Sequence, residues 1–173
     1  MPSREFQPST IGPTLEHPLQ ESPEKPSRPP LPRLEDFPIR VSDTIRFADL
    51  DRQGHVNNAV YPTYFETGRV PRIYDPKEGF QVEGCTTVLA RIEIDFLKEL
   101  HWPGTVEIGT AVAEIRRSSY VFAQAIFNEG QCAARARSTM VLIDRATRKA
   151  RPLPEDLVAR LERVLMRSDP DAD

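Results

Sequence analysis

The chain has 173 residues, 26 acidic against 23 basic side chains, a net charge of −3 and 39% hydrophobic residues. That length suits one domain with its own core, and the charge gives no electrostatic footprint for a nucleic-acid partner. No apolar run approaches the 18 or so residues of a membrane helix, and the start has neither the apolar segment of a secretory signal nor the acid-poor composition of a transit peptide, so a cytoplasmic protein is expected.

Ten of the 17 prolines fall within residues 1–38, five of them between Pro23 and Pro32. Few large apolar residues accompany them, so residues 1–36 read as a disordered or polyproline-like tail. Its four cations against six anions do not make a basic arm. The domain is expected over 37–168, with 169–173 a disordered end.

Within the domain, residues 39–47 alternate apolar and polar, the mark of a strand. A polar loop follows, Asp49-Leu50-Asp51-Arg52-Gln53-Gly54-His55. Tyr61, Tyr64, Phe65 and Gly68 then fall on one face of a helix. Pro62 is tolerated only in the first turn, so the helix is expected from Asn58 or Ala59, with Asn57 or Asn58 as cap. Beyond Gly84 the period changes to two, giving strands near 88–96, 104–112, 120–127 and 132–143. Their breaks are Trp102-Pro103-Gly104, Arg117-Ser118-Ser119 and the hairpin-like Asn128-Glu129-Gly130. Leu157, Leu161 and Leu165 repeat every four residues after Pro154-Glu155-Asp156, a closing helix. The order predicts an α+β domain: a mostly antiparallel sheet with the first helix packed on one face.

Motif by motif, most chemistries drop out. Asp49-x-Asp51-x-Gln53-Gly54 starts like a calcium loop, but the twelfth position, where a bidentate Glu belongs, is Val60, and the preceding segment is a strand. There is no H-E-x-x-H pair, no G-x-S-x-G elbow and no phosphate-binding G-x-x-x-x-G-K-[ST] loop. Two cysteines and three histidines cannot build the usual Cys/His zinc site without carboxylate help. What remains is Asp51 just ahead of a helix start. Helix N-termini offer unpaired N–H groups and a positive dipole end, which can hold an oxyanion, and a nearby carboxylate can act as nucleophile or general base. The competing reading is that Asp49 and Asp51 only close Asx turns.

Residues 46–69, with Asp49-x-Asp51-x-x-Gly54-His55-Val56-Asn57-Asn58 followed by Tyr61-x-x-Tyr64-Phe65-Glu66, resemble the hotdog-fold acyl-CoA thioesterases of the 4-hydroxybenzoyl-CoA thioesterase family. The resemblance covers roughly residues 39–152. It implies a curved antiparallel sheet wrapped around a central helix, two such domains pairing as a dimer (or further as a tetramer), and active sites at their interface. It also implies Asp51 as the catalytic carboxylate, either attacking the thioester or activating water. The backbone from Asn58 to Tyr61 would polarise the thioester carbonyl, with Tyr61 and Tyr64 near the acyl pocket. Gly54, His55, Asn57 and Asn58 are candidate substrate-positioning residues; His55 reads equally as a loop brace, and the asparagines as caps. Glu66 is a possible second carboxylate, although three residues from Arg69 it is expected to pair with that cation. Arg116, Arg117 and Ser119 match the segment that meets the CoA nucleotide in related enzymes, while Ser118 departs from the basic cluster there.

The function expected is hydrolysis of an acyl-CoA thioester to free acid and CoA, without metal or redox cofactor. Two alternatives stand beside it: a non-catalytic acyl-CoA or acyl-carrier binding protein, and a hotdog enoyl-CoA hydratase, whose Asn-Pro-hydrophobic-His run is missing.

Overall fold

The computed structural model describes residues 30–166. Five strands form one antiparallel sheet: β1 (Ile39–Ile45), β2 (Cys85–Phe96), β3 (Gly104–Ile115), β4 (Ser119–Asn128) and β5 (Gln131–Asp144). Two helices complete the fold, α1 (Tyr61–Ile73) and α2 (Glu155–Glu162). The period-two segments thus become strands, each within a few residues of the expected limits.

The strand order is β1-β3-β4-β5-β2. Only β3, β4 and β5 form the expected hairpin meander. β2 lies on the far edge beside β5, and the 97–103 connection crosses the sheet's width to reach β3, next to β1. A bulge between Leu89 and Arg91 breaks the alternation expected to place Val88, Ala90, Ile92, Ile94 and Phe96 on one face; Ala90 is exposed, whereas Ile92 and Ile94 pack against the core beneath α1. The extra residue moves subsequent side chains to the opposite face.

Helix α1 packs on β1, β3 and β4. Its inward residues Tyr61, Tyr64, Phe65 and Gly68 are all buried, against Val106, Ile108 and Ile126 among others. Beneath the helix, the Gln124 amide donates to the Phe65 carbonyl (2.8 Å) and the Thr110 hydroxyl (3.0 Å), and its oxygen accepts from Ser138 (3.1 Å). This buried network is fully paired, which is what makes burial of an amide tolerable.

The helix starts later than expected. Asn57 closes a separate turn first, its Oδ1 accepting from Ala59 N–H (2.9 Å) and its carbonyl from Val60 N–H (2.8 Å). Val60 then caps α1 and Pro62 sits in the first turn, where a missing N–H costs nothing. The expected cap role of Asn57 therefore belongs to the preceding turn, and Asn58 lies within that turn.

Residues 1–29 of the expected tail, and the expected 169–173 end, lie outside the described residues. Residues 30–36 pack on the domain: Pro32 is buried, Leu34–Asp36 makes a 3-10 turn, and Phe37 wedges onto Gly109 and edge-on to Phe127. Packing therefore begins ahead of residue 37. At the other end, Leu157, Leu161 and Val164 bury against Val112, Tyr120 and Phe122, and Leu165 bridges to Val112 beyond the end of α2.

Candidate functional site

The loop between β1 and α1 is built on a division of labour between its two aspartates. Asp49 is buried. Its Oδ2 accepts from the Tyr64 hydroxyl (2.8 Å) and the Arg46 amide (2.8 Å), and its carbonyl accepts from Asn57 N–H (2.9 Å). It ties the loop to α1 through Oδ2. Asp51 is exposed. Its Oδ1 accepts from Gln53 N–H (2.7 Å) and His55 N–H (3.3 Å), while its own N–H donates to the His55 carbonyl (2.8 Å). The Asx-turn expectation is met by Oδ1 alone. Among the described residues Oδ2 has no hydrogen-bond partner, and Asp51 lines an open depression with Leu50, Arg52, Gln53 and Asn57.

Gly54 permits the turn that aims Asp51 outward. Its φ is +84°, in the region other residues rarely adopt, and its N–H donates to the Asp51 carbonyl (3.2 Å). Val56 then turns inward and donates to the Leu100 carbonyl (2.8 Å), pinning the loop to the connection before β3.

His55 braces the loop rather than lining the depression. Its backbone bridges that of His101, the two imidazoles meet edge to face at 5.0 Å, and Nε2 lies 3.4 Å from Glu99 Oε2. Tyr61 and Tyr64, expected near an acyl pocket, are core residues and do not line the depression. Tyr61 meets Phe96 edge-on (5.0 Å), and burial, followed by the negative charge of Glu99, raises its phenol pKa. Tyr64 is raised more strongly, by burial first and then by donating to Asp49.

At the helix start, several amides are already used: Ala59 and Val60 by Asn57, Thr63 and Tyr64 by the Val60 carbonyl. Pro62 has none. Among the described residues the N–H groups of Asn58 and Tyr61 have no partner.

Glu66 and Arg69 do not form the expected ion pair. Glu66 is exposed, whereas Arg69 turns toward the sheet and is buried, its Nη1 without a hydrogen-bond partner among the described residues. Desolvation lowers its pKa, and the Glu66 charge only partly counters that. The i,i+3 spacing failed as a guide because α1 rotates Gly68 and Arg69 onto the sheet together.

Arg116, Arg117 and Ser119 lie at the β3–β4 hairpin. Arg116 is held by Glu114 (Nε to Oε2, 2.9 Å), which also meets Arg137, and the Arg116 contact is the main reason the Glu114 carboxyl is held below the usual range. Arg117 is exposed and, among the described residues, has no carboxylate partner. Ser119 closes the turn, its carbonyl accepting from Arg116 N–H (2.8 Å). Gly104 pairs with Ile45 beside the Asp51 loop, and Ile115 ends β3 at the hairpin. Eleven strand steps separate them, roughly 35 Å at about 3.3 Å per residue. One chain therefore does not bring Asp51 and Arg117 together.

Residues 45–161 match the thioesterase-like superfamily. Over 130 residues the chain is 25% identical to the acyl-CoA thioester hydrolase YbgC of Escherichia coli O6:H1, covering 73% of this chain and 94% of that one. A Thermus thermophilus thioesterase, solved with coenzyme A and Zn, is 32% identical over 78% of this chain and 99% of its own, with a TM-score of 0.66. The PA5185 protein of Pseudomonas aeruginosa shares the fold at a TM-score of 0.72, with 24% identity, over 81% of this chain and all of its own. With the β1-β3-β4-β5-β2 sheet wrapped on one helix and the family matched across most of the domain, the chain belongs to the thioesterase-like superfamily, as a hotdog-fold thioester hydrolase.

Proposed function

We propose that the protein hydrolyses an acyl-CoA thioester to free acid and CoA, with Asp51 as the reacting carboxylate. One observation carries this reading: of the two aspartates in the motif, Asp49 is buried and bonded to Tyr64, while Asp51 is exposed and lines a solvent-facing depression together with Asn57, just ahead of α1. Asp51 either removes a proton from water as the water attacks the thioester carbon, or attacks that carbon itself, forming an anhydride that water then cleaves. In both routes the carbon–sulfur bond breaks and the thiolate leaves, taking up a proton to give CoA. The unpartnered amides of Asn58 and Tyr61 are the proposed donors to the oxyanion.

The CoA assignment draws on the YbgC relative's activity and on the Thermus enzyme's bound coenzyme A. Arg117 is the cation proposed for its phosphates, since Arg116 is already neutralised by Glu114. Because Asp51 and Arg117 stand at opposite ends of β3, a site using both takes them from two chains. We therefore propose a homodimer at least. The β2 edge is its proposed seam, a 12-residue unpaired edge with Leu89 and Phe96 exposed. The free thiols of Cys85 and Cys132, both buried, suit a reducing compartment such as the cytoplasm.

The test is thiol release from short, long and aromatic acyl-CoAs by wild type and Asp51→Asn in parallel. Loss of the base or nucleophile predicts a fall in turnover of roughly a hundredfold or more, and the panel identifies the acyl class. Binding without release by the wild type favours the binding-protein alternative. Equal turnover by both proteins reduces Asp51 to a loop brace.

A further inference from the structure

We propose that His55, Glu99 and His101 form a binding site for a divalent transition metal of the zinc type. Two short extended segments build it. His55 and Val56 run antiparallel to Leu100 and His101, joined by the His55–His101 bridge and by the Val56 amide donating to the Leu100 carbonyl. Alternation sends Val56 and Leu100 into the core and His55, Glu99 and His101 to the opposite side. Glu99 and His101 are neighbours on one face by their spacing of two, and His55 lies directly across from His101. The backbone therefore converges the three side chains; they do not meet by chance at the ends of flexible loops.

The donor atoms suit one ion. Glu99 Oε2 lies 3.4 Å from His55 Nε2 and 3.9 Å from His101 Nε2, and all three donor atoms lie within 4.8 Å of one another. Metal–ligand bonds of about 2.0–2.1 Å in a tetrahedral site set ligand atoms roughly 3.3 Å apart, so closing the site needs only small side-chain rotations. Two imidazoles and one carboxylate are a donor set for zinc, cobalt or nickel; they offer too few oxygens for calcium. Three protein ligands leave a position for water. Side-chain exposures of 28% for His55, 66% for Glu99 and 58% for His101 leave the ion an entry path.

The site also bears on the loop. The Asp51 N–H donates to the His55 carbonyl and the His55 N–H donates to Asp51 Oδ1, so an ion gripping the His55 ring fastens the Asp51 loop to the connection between β2 and β3. The carboxylate that the composition lacked for a Cys/His zinc site is supplied by Glu99, 44 residues from His55 in the chain. This site stands independently of the hydrolysis proposed above.

The full chain, stripped with chelator and desalted, is titrated calorimetrically with zinc chloride and spectroscopically with cobalt chloride, beside Glu99→Gln and His101→Gln. Both side chains are exposed, so the variants keep the fold, checked by circular dichroism. The site predicts one saturable zinc ion per chain and the visible bands of low-coordinate cobalt. Each variant should bind at least about tenfold more weakly. The proposal is overturned if the wild type shows no saturable binding and no cobalt bands, which leaves a His–Glu ion pair only. It is equally overturned if either variant binds like the wild type, because the ion then sits elsewhere.

Discussion

Gly68 is the point where α1 comes nearest the sheet, and Gly68→Ala tests that closeness. A Cβ there would lie 2.4 Å from Ile108 Cγ2, 3.0 Å from Thr110 Oγ1 and 3.2 Å from Gln124 Nε2. Carbon atoms rest at about 3.5–4.0 Å, so the new methyl needs more than an ångström of retreat. Ile108 cannot give it cheaply, because Cγ2 is a branch fixed at Cβ on a central strand. Lifting the helix instead stretches the bond from Gln124 to the Phe65 carbonyl. Overpacking costs about 1–3 kcal/mol, and loosening a buried hydrogen bond about 1–3 kcal/mol. Alanine returns about 1 kcal/mol through helix propensity. The clash wins, by about 2–3 kcal/mol. Urea unfolding should show a midpoint lower by roughly 1 M at unchanged slope. Turnover should fall with it, since α1 carries the Tyr61 amide and follows directly on the turn that holds the Asn58 amide. Ile108→Ala in the same background removes the obstructing methyl, so the double-mutant cycle should show favourable coupling of about 1 kcal/mol or more. An unchanged or raised midpoint for Gly68→Ala, or strict additivity with Ile108→Ala, would refute this account of how the helix is seated.

Two further predictions concern charge. Tyr64 and Tyr120 are fully buried and their phenols are pushed up, mainly by burial. Between pH 10 and their folded pKa values the unfolded chain releases protons that the folded chain retains, so stability is intact below pH 10 and declines above it. Each phenol removes about 1.4 kcal/mol by pH 11; Tyr120→Phe should remove its own share of that alkaline decline in a pH series of urea unfolding, and an unaltered decline would contradict the assignment. At the hairpin, Arg117→Ala should raise KM for acyl-CoA roughly tenfold with kcat preserved, whereas Arg116→Ala, whose guanidinium is already paired with Glu114, should change KM much less. Equal effects from the two substitutions would break the distinction.

How far the sequence could be read depends on the range of the interactions concerned. β3, β4 and β5 were legible because alternation and turn residues are local, and these strands pair with their sequence neighbours. The place of β2 was not. Its partner is β5, and nothing within 85–96 distinguishes that edge from a hairpin with β3. The bulge at Leu89/Arg91 was hidden for a related reason, since a register shift is a relation between two strands. The helix start was misplaced by two or three residues because Asn57 has the chemistry of a cap but spends it on a separate turn.

The candidate site shows the same limit where it bears on chemistry. Both aspartates of the motif have the same local environment on paper, and each does close a turn. What separates them is Tyr64, 15 residues beyond Asp49, whose hydroxyl reaches back and occupies Asp49. Without that bond the Asp49 carboxylate would keep only the Arg46 amide. With it, Asp49 becomes part of the buried scaffold, and Asp51 stays exposed. A resemblance singles out Asp51 by its position in a motif; the packing of α1 supplies the physical reason, because the helix face that buries Tyr64 also determines which carboxylate is left facing the solvent. The seating of Gly68 and the availability of Asp51 are therefore linked, and a change that lifts α1 from the sheet would release Asp49 as well as destabilise the fold.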